Sequence, residues 1–173
     1  METNTHVFFY GDKPNKISVH IFSQWYPIPF TEYFGNDLET KLDYCSTEQY
    51  MMAHKALLFG DALNYEKIMN TTNPAAIKKY GRLIKGFDPD TWDDCKLDIV
   101  TKGNRLKFNQ NAPLLSRLME TGNKILVEAS PYDAIWGIGL SANQAISMHP
   151  SQWPGSNLLG QALMTVRDEH IKL

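Results

Sequence analysis

The pattern of hydrophobic and polar positions is most distinctive in the stretch that begins at Ser46. Gln49 follows Ser46 at the spacing of a capping box, which predicts that a helix begins here. From residue 50 to 58 the chain is apolar on nearly every helical face, and such a helix is typically buried. Glu48 in the first turn and Lys55 two turns later share one face. Because unpaired buried charges are unfavourable, these two side chains are expected either to pair or to serve a pocket.

The rest of the chain predicts an α+β fold that is mainly α, with a small β-sheet near the N-terminus and around 125–129 and no βαβ rhythm. Short apolar runs predict strands at 6–10, 19–22 and 125–129, and a hairpin through 33–34 and 38–42. Capping and proline signals predict helices at 62–69 and 75–80, a longer helix from 88, a helix from 112, and a last one at 158–169.

Three segments do not fit a regular element. Residues 22–30 combine aromatic side chains with two prolines, which favours an ordered loop that forms the wall of a pocket. Residues 130–140 form a loop with two glycines that carries Asp133 and Trp136, and glycine permits close approach of the backbone. Residues 141–155 are polar and predict a surface loop that could act as a lid.

Length and composition narrow the classes of protein. A chain of 173 residues is expected to form a single domain over 1–173. Its 17 lysines and arginines against 19 acidic residues argue against a broad basic surface for duplex binding, but they allow a local cationic pocket. Cys45 and Cys95 form neither a disulfide framework nor a metal spacing. With no signal sequence and no apolar run of membrane length, a cytoplasmic protein without membrane association is expected.

A series of fragments resembles the NADAR family, also called the YbiA-like or riboflavin-biosynthesis-intermediate N-glycosidases. The most specific are Ser46-Thr-Glu48-Gln-Tyr-x-x-x-x-Lys55 and Asp133-x-x-Trp136-Gly137-Ile138-Gly139-Leu140. Others lie at 22–30, 74–82, 92–93, 107–111, 118–122, 126–130 and 157–167, so the resemblance covers about residues 20–168. The sequence departs from the family at Gln24 and Trp25, and at His54. Gln24 and Trp25 lie in the expected pocket wall, so this departure bears on substrate preference.

The resemblance implies hydrolysis of an N-glycosidic bond without a metal or organic cofactor. A carboxylate near the anomeric carbon is needed to stabilise or move charge, and Glu48 suits this task because a helix N-terminus favours its anion. Lys55 can form a Schiff base with a ring-opened sugar if burial lowers its pKa. The alternatives for Lys55 are an ion pair with Glu48 or a phosphate contact. Asp133 is the second expected catalytic carboxylate, with loop capping as its alternative.

The expected substrate-binding residues are Trp92, Trp136, Arg82, Lys78, Trp25 and Glu128. Trp92 and Trp136 are expected to stack on the base, although Trp136 can also be a core residue. Lys78 and Arg82 are candidates for the substrate phosphate, with a solvated helix face as the alternative for Lys78. Arg167 is a weaker phosphate candidate, and Glu128 is expected to bind the sugar or support Lys55.

Three functions remain open from the sequence. The first is cleavage of a small phosphorylated ribosylamino-pyrimidine, an intermediate of riboflavin biosynthesis, and the near-neutral charge favours it. The second is removal of ADP-ribose from modified guanine in nucleic acid, which would make binding strongly salt-dependent. The third is a non-catalytic module that binds ADP-ribose. The oligomeric state is left open.

Overall fold

The computed structural model describes residues 1–14, 19–35 and 40–171, and it confirms the predicted mainly helical α+β fold. The strands are β1 (His6–Phe9), β2 (Phe30–Phe34), β3 (Thr40–Tyr44) and β4 (Ile125–Glu128). The helices are α1 (Thr47–Leu58), α2 (Ala62–Met69), α3 (Pro74–Arg82), α4 (Pro89–Asn109), α5 (Ala112–Met119), α6 (Ala142–Ala145) and α7 (Leu158–Ile171). The chain divides into unit 1, which comprises Met1–Tyr26 and Asn111–Leu173, and unit 2, which comprises Pro27–Gln110.

In unit 1, the two predicted strands β1 and β4 pair in parallel, with His6 opposite Ile125 and Phe9 opposite Glu128. Helix α7 packs against β4, and residue 160 is a glycine because a Cβ there would overlap the carbonyl of Leu126. The Asn157 side chain substitutes for a neighbouring strand, since it accepts a hydrogen bond from the Glu128 amide (3.0 Å) and donates one to the Leu126 carbonyl (2.9 Å). The end of β4 is therefore held on both sides.

The strand predicted at 19–22 is wrong, because Val19–Phe22 forms a turn of 3-10 helix. Val19, Ile21 and Phe22 are all buried there. A strand would turn the adjacent Ile21 and Phe22 to opposite faces, so that a strand with only one buried face could not bury both. Burial in the core of unit 1 therefore overrode the alternation on which the prediction was based.

The predicted surface loop at 141–155 is partly wrong, because it contains the short helix α6 and a 3-10 turn at Pro150–Gln152. Ser141 begins α6, and its hydroxyl and backbone amide both bond to the Gln144 side-chain oxygen (2.7 and 3.1 Å). Ala145 is buried with Phe8, Val127, Ala129 and Ile138 in a hydrophobic cluster. That this segment acts as a lid stays a prediction.

Helix α1 is the centre of unit 2 and contacts α2, α3 and α4. It begins as predicted, with the Ser46 hydroxyl accepting a hydrogen bond from the Gln49 amide (3.2 Å). The Gln49 side chain returns to the amide of Cys45 (2.7 Å) rather than to that of Ser46. The predicted hairpin is present as β2 and β3, which pair antiparallel with Phe30 opposite Tyr44. Its predicted positions 38 and 39 lie outside the described residues.

The remaining helix starts in unit 2 follow their capping side chains. Asp61, Asn73 and Asp88 each accept a hydrogen bond from a backbone amide three residues on, at 3.0, 3.0 and 2.8 Å. Proline occupies the first position of α3 and α4, where its missing N–H leaves no gap in the helix. Helix α2 therefore has the predicted bounds, whereas α3 extends past the predicted 75–80 to Arg82.

Candidate active site

Helix α1 carries both residues of the predicted catalytic pair. Glu48 is its second residue and is 6% exposed, in the turn where free backbone N–H groups favour a carboxylate. Lys55 lies seven residues further on, which is about 10 Å along the helix axis. Within the described part of the chain, Lys55 makes no ion pair with a carboxylate. The ion-pair alternative for Lys55 is therefore not observed among the described residues.

The amine of Lys55 lies instead against aromatic rings. Its Nζ is 4.0 Å from the centre of the Phe87 ring and 5.4 Å from that of Trp92. It donates one long hydrogen bond, of 3.5 Å, to the Gly81 carbonyl. Burial lowers the pKa of Lys55 below its ordinary value. An amine with a lowered pKa is a better nucleophile at neutral pH, because more of it is unprotonated. The indole face beside it can stack on a planar ligand.

Helix α3 approaches Lys55 closely because residue 81 is a glycine. A Cβ at this position would overlap the Met52 side chain of α1. The last turn of α3 therefore places the Gly81 carbonyl at Lys55, and Arg82 follows it directly. This packing explains why residue 81 is a glycine.

Lys78 and Arg82 lie four residues apart on α3, so that their side chains share one face of the helix. Both residues are exposed, and within the described chain neither takes part in an ion pair. Two cations without counter-ions are available to an anion such as phosphate. The exposure of Lys78 is equally consistent with the alternative, in which Lys78 only lies on a solvated face of the helix.

In unit 1, the loop after β4 is organised by Asp133. Its Oδ1 accepts hydrogen bonds from the amides of Ile135 (2.8 Å) and Trp136 (2.9 Å), so the loop-capping alternative is observed. Its Oδ2 makes no hydrogen bond to any described residue and is available to a ligand. Trp136 is half-buried, which is compatible with both of its predicted roles.

Glu128 is the last residue of β4, and its carboxyl group is strongly perturbed. Its Oε2 is enclosed and has no hydrogen-bond partner in the described chain. Burial, assisted by the negative charge of Asp133, raises the pKa of Glu128 to about 8. The sequence predicted Glu128 as a sugar or Lys55 contact but contained no sign of this environment.

The other predicted residues of unit 1 differ in their surroundings. Trp25 is half-buried and follows the 3-10 turn, where its amide donates to the Ser23 hydroxyl (3.1 Å). Arg167 is only 4% exposed, and its guanidinium donates to the Thr121 hydroxyl (3.2 Å) and the Lys124 carbonyl (2.7 Å). The prediction of Arg167 as a phosphate ligand is therefore corrected, because its donors bind the backbone and side chains of its own unit.

Sequence reasoning missed a buried polar cluster around Glu32 in unit 2. Its carboxylate contacts Lys102 Nζ at 2.5 Å and His54 Nε2 at 3.1 Å, and accepts hydrogen bonds from the hydroxyls of Tyr50 (3.3 Å) and Tyr44 (3.5 Å). Burial, together with the negative charge of Glu32, raises the pKa of both tyrosines, so they remain neutral donors. The alternation of β2 places Glu32 on the same face as buried Phe30, and this was the available signal.

Phe87 was also missed. It stands alone between Gly86 and Asp88 in a segment without regular structure, and nothing in the local pattern connects it to Lys55. The contact exists because the segment before α4 folds back along α1, where Phe87 also packs edge-on against Phe59 with ring centres 5.3 Å apart.

An amine held against aromatic rings, a buried acid on the same helix and exposed cations on a neighbouring helix are groups that an enzyme can use for chemistry on a small ligand. Comparison with known proteins agrees with this class. The sequence matches the NADAR domain family over residues 8–170, and the chain belongs to this family.

The chain is 55% identical over 170 residues to N-glycosidase R617 of Acanthamoeba polyphaga mimivirus, covering 98% of this chain and 99% of that protein. It is 32% identical over 124 residues to riboflavin biosynthesis protein VVA0006 of Vibrio vulnificus, covering 72% of this chain and 30% of that one. The NMR structure of the E. coli protein YbiA superimposes with a TM-score of 0.74 at 25% identity, covering 99% of this chain and 88% of that one.

These similarities confirm the predicted family, and the predicted enzyme class, a hydrolase of N-glycosyl compounds, agrees with the names of the curated relatives. Two further findings concern the described residues alone. None of their helices is long and apolar enough to cross a membrane. They also contain no group of three or more His, Cys, Asp or Glu side chains arranged to hold a metal ion.

Proposed function

We propose that the chain hydrolyses the N-glycosidic bond of phosphorylated ribosylamino-pyrimidine intermediates of riboflavin biosynthesis. The observation that carries this proposal is Lys55, whose amine has a lowered pKa and lies 5.4 Å from the ring of Trp92. The relatives named N-glycosidase and riboflavin biosynthesis protein support the reaction and the substrate class.

The reaction begins from the imine that an N-ribosylamine forms when its sugar ring opens. The amine of Lys55 adds to C1, and the base leaves as a free amine, so the sugar is joined to Lys55 as an imine. Water then hydrolyses this imine, which releases the sugar phosphate and restores the lysine amine. Burial favours this route because it increases the fraction of Lys55 that is unprotonated and nucleophilic.

Glu48 serves this chemistry as a base or as a stabilising negative charge. Its position in the first turn of α1 favours the anion, which can accept a proton from water or balance the positive charge of the iminium. Replacement of Glu48 by glutamine keeps the shape of the side chain and removes the charge. This substitution therefore separates a chemical role from a packing role.

Recognition of the substrate uses aromatic faces and cations. In unit 2, Trp92 stacks on the pyrimidine ring, and Lys78 and Arg82 bind the phosphate. In unit 1, Asp133 has a free Oδ2 for sugar hydroxyl groups, and Trp25 and Trp136 are half-buried rings available to a planar group. Each of these roles is testable by single substitution.

The test is a turnover assay of wild type and Glu48→Gln on two substrates, with the released base identified by mass spectrometry. The substrates are the ribosylamino-pyrimidine phosphate and an oligonucleotide with ADP-ribosylated guanine. Release from the first, lost in Glu48→Gln, is the expected result. Release from the oligonucleotide alone, with strong salt dependence, would assign the protein to nucleic acid instead. Binding of ADP-ribose without any turnover would identify a sensor module.

Two further measurements examine the individual roles. Sodium cyanoborohydride added during turnover should reduce the imine and attach the sugar phosphate to Lys55, and a reaction that proceeds with no adduct would exclude the covalent route.

Arg82→Ala and Lys78→Ala should raise KM for the phosphorylated substrate. Lys79→Ala, at an exposed position of the same helix, is the matched control and should leave KM unchanged.

A further inference from the structure

The segment between α3 and α4 is tied to the start of α2 on its way through unit 2. The Leu83 carbonyl accepts a hydrogen bond from the Asn64 side chain at 3.1 Å. Two residues later, the Lys85 amide donates to Asp61 Oδ2 at 2.8 Å. The backbone of this segment is therefore held at two points before it reaches Phe87.

Phe87 itself is held in place although its side chain is 43% exposed. Gly86 before it has a φ of 69°, a left-handed conformation that favours glycine. Asp88 after it begins α4 by accepting a hydrogen bond from the Thr91 amide (2.8 Å). Phe59 packs edge-on against the Phe87 ring, with the ring centres 5.3 Å apart. Backbone and ring contacts together therefore fix where this exposed ring lies.

The amine of Lys55 depends on this ring for its position. Its Nζ lies 4.0 Å from the centre of the Phe87 ring, which is within the range of a cation–π contact. Its one hydrogen bond within the described chain, to the Gly81 carbonyl, is 3.5 Å long and therefore weak. The Phe87 ring, more than any polar group, sets the place of the amine at 5.4 Å from the Trp92 ring.

Burial is the cause of the lowered pKa of Lys55, and no charged group of the described chain contributes to it. The charged side chains close to these contacts include Lys78 and Arg82 on α3, Lys85 and Asp88 in the segment, and Asp93 and Lys96 on α4. Within the described chain none of them forms an ion pair with Lys55, and Asp93 pairs with Lys96 at 2.6 Å. The protonation of Lys55 therefore depends on how much water reaches its amine.

We propose that Phe87 is a positioning residue for the reaction, whose ring holds the Lys55 amine beside Trp92 and keeps water from it, so that Lys55 attacks C1 as the neutral amine. This role rests on the proposed function. The lone pair of Nζ forms the bond to C1, and a protonated amine has no such lone pair. Phe87 transfers neither a proton nor electrons, and it acts only through Lys55.

The ring has two opposing effects on the amine, and two substitutions separate them. As an apolar cover it favours the neutral amine, whereas its π face favours the ammonium. Phe87→Ala removes the cover, so the acid limb of the kcat profile, where Lys55 becomes protonated, should move to higher pH. Phe87→Leu keeps an apolar side chain and removes the π face, so its acid limb should stay at the pH of wild type or below it.

The experiment is a pH profile of kcat and KM for wild type, Phe87→Ala and Phe87→Leu on the ribosylamino-pyrimidine phosphate. At pH 7, kcat of Phe87→Ala should fall by about tenfold for every pH unit that the limb moves, and it should recover at high pH. KM should change little. Leu83→Ala is the matched control, because Leu83 is an apolar side chain of the same segment that is 55% exposed, and its profile should equal that of wild type. Thermal unfolding establishes that each variant is folded.

A limb that does not move in Phe87→Ala, or a kcat lowered equally at every pH, overturns the proposal and leaves the proposed function standing. A limb that moves as far in Phe87→Leu as in Phe87→Ala also overturns it, because an apolar cover would then have no effect.

A wild type with no turnover contradicts the proposed function, and NMR of the ¹³C-methylated protein then tests the shielding by itself. A higher pKa of Lys55 in Phe87→Ala than in wild type supports the shielding, and an equal pKa overturns it. If Phe87→Ala does not fold, the wild type decides, because a pKa of Lys55 in the ordinary range of lysine overturns the proposal and a lowered one supports it.

Discussion

Replacement of Glu32 by glutamine should destabilise the protein by about 3 kcal/mol. In wild type, the buried carboxylate binds His54 Nε2 at 3.1 Å and accepts from two tyrosine hydroxyls. A hydrogen bond to a charged group contributes about 1.5–3 kcal/mol, and a buried donor left without a partner loses about 1–3 kcal/mol. Glutamine is uncharged and has only one acceptor oxygen, and its NH₂ group would face the donors of the surrounding side chains. The variant therefore loses the hydrogen bonds to a charged group and also leaves a buried donor without a partner.

The ion pair with Lys102 adds little to this figure. The Lys102 side chain is 54% exposed, so solvent screens its attraction to Glu32 despite the short distance. Exposed ion pairs contribute about 0–1 kcal/mol. Lys102→Gln is therefore a matched control, because it removes the ion pair and leaves the buried hydrogen bonds in place. It should destabilise the protein by less than about 1 kcal/mol.

Urea denaturation followed by tryptophan fluorescence and circular dichroism measures both variants. For a protein of this size, 1 kcal/mol corresponds to about 2–4 °C in Tm, so Glu32→Gln should lower Tm by about 6–12 °C. A free energy of unfolding within about 0.5 kcal/mol of wild type would refute the reasoning. It would show that the hydrogen bonds around Glu32 stabilise the fold no more than water does.

Three other predictions follow from single contacts. Burial lowers the pKa of His54, although the negative charge of Glu32 opposes this shift, so the folded state favours the neutral ring. The free energy of unfolding should therefore decrease as pH falls below about 6.5, where the unfolded chain takes up the proton more readily. In acid denaturation, His54→Gln should lose less stability over this pH range than wild type. Phe87→Ala should raise the pKa of Lys55 toward its ordinary value, because removal of the ring lets water reach the amine. NMR of ¹³C-methylated lysine measures this pKa, and an unchanged value would contradict burial as the cause of the shift. Gly160→Ala should lose at least about 2 kcal/mol, because its Cβ meets the Leu126 carbonyl, and a Tm equal to wild type would show that α7 can shift away from β4.

The amino-acid sequence by itself determined the elements whose signals are local. The starts of α1, α2, α3 and α4 follow from Ser46, Asp61, Asn73 and Asp88, each of which bonds to an amide three residues on. Such caps act within one helical turn and do not depend on distant parts of the chain. The family resemblance rests on comparable local fragments, and the family match over residues 8–170 confirms it.

The tertiary structure alone decided the properties that depend on burial and on contacts between distant residues. The local pattern at 19–22 resembles a strand, but packing in unit 1 requires a 3-10 turn. Arginine commonly binds anions, yet the guanidinium of Arg167 donates to the Thr121 hydroxyl and the Lys124 carbonyl. Both residues are more than 40 positions away in the chain. Glu32 and Glu128 are ordinary carboxyl groups in the sequence. Folding places Glu32 within 3.1 Å of His54 Nε2, and it buries Glu128 near the charge of Asp133, which raises the pKa of Glu128. Neither environment exists before the chain has folded.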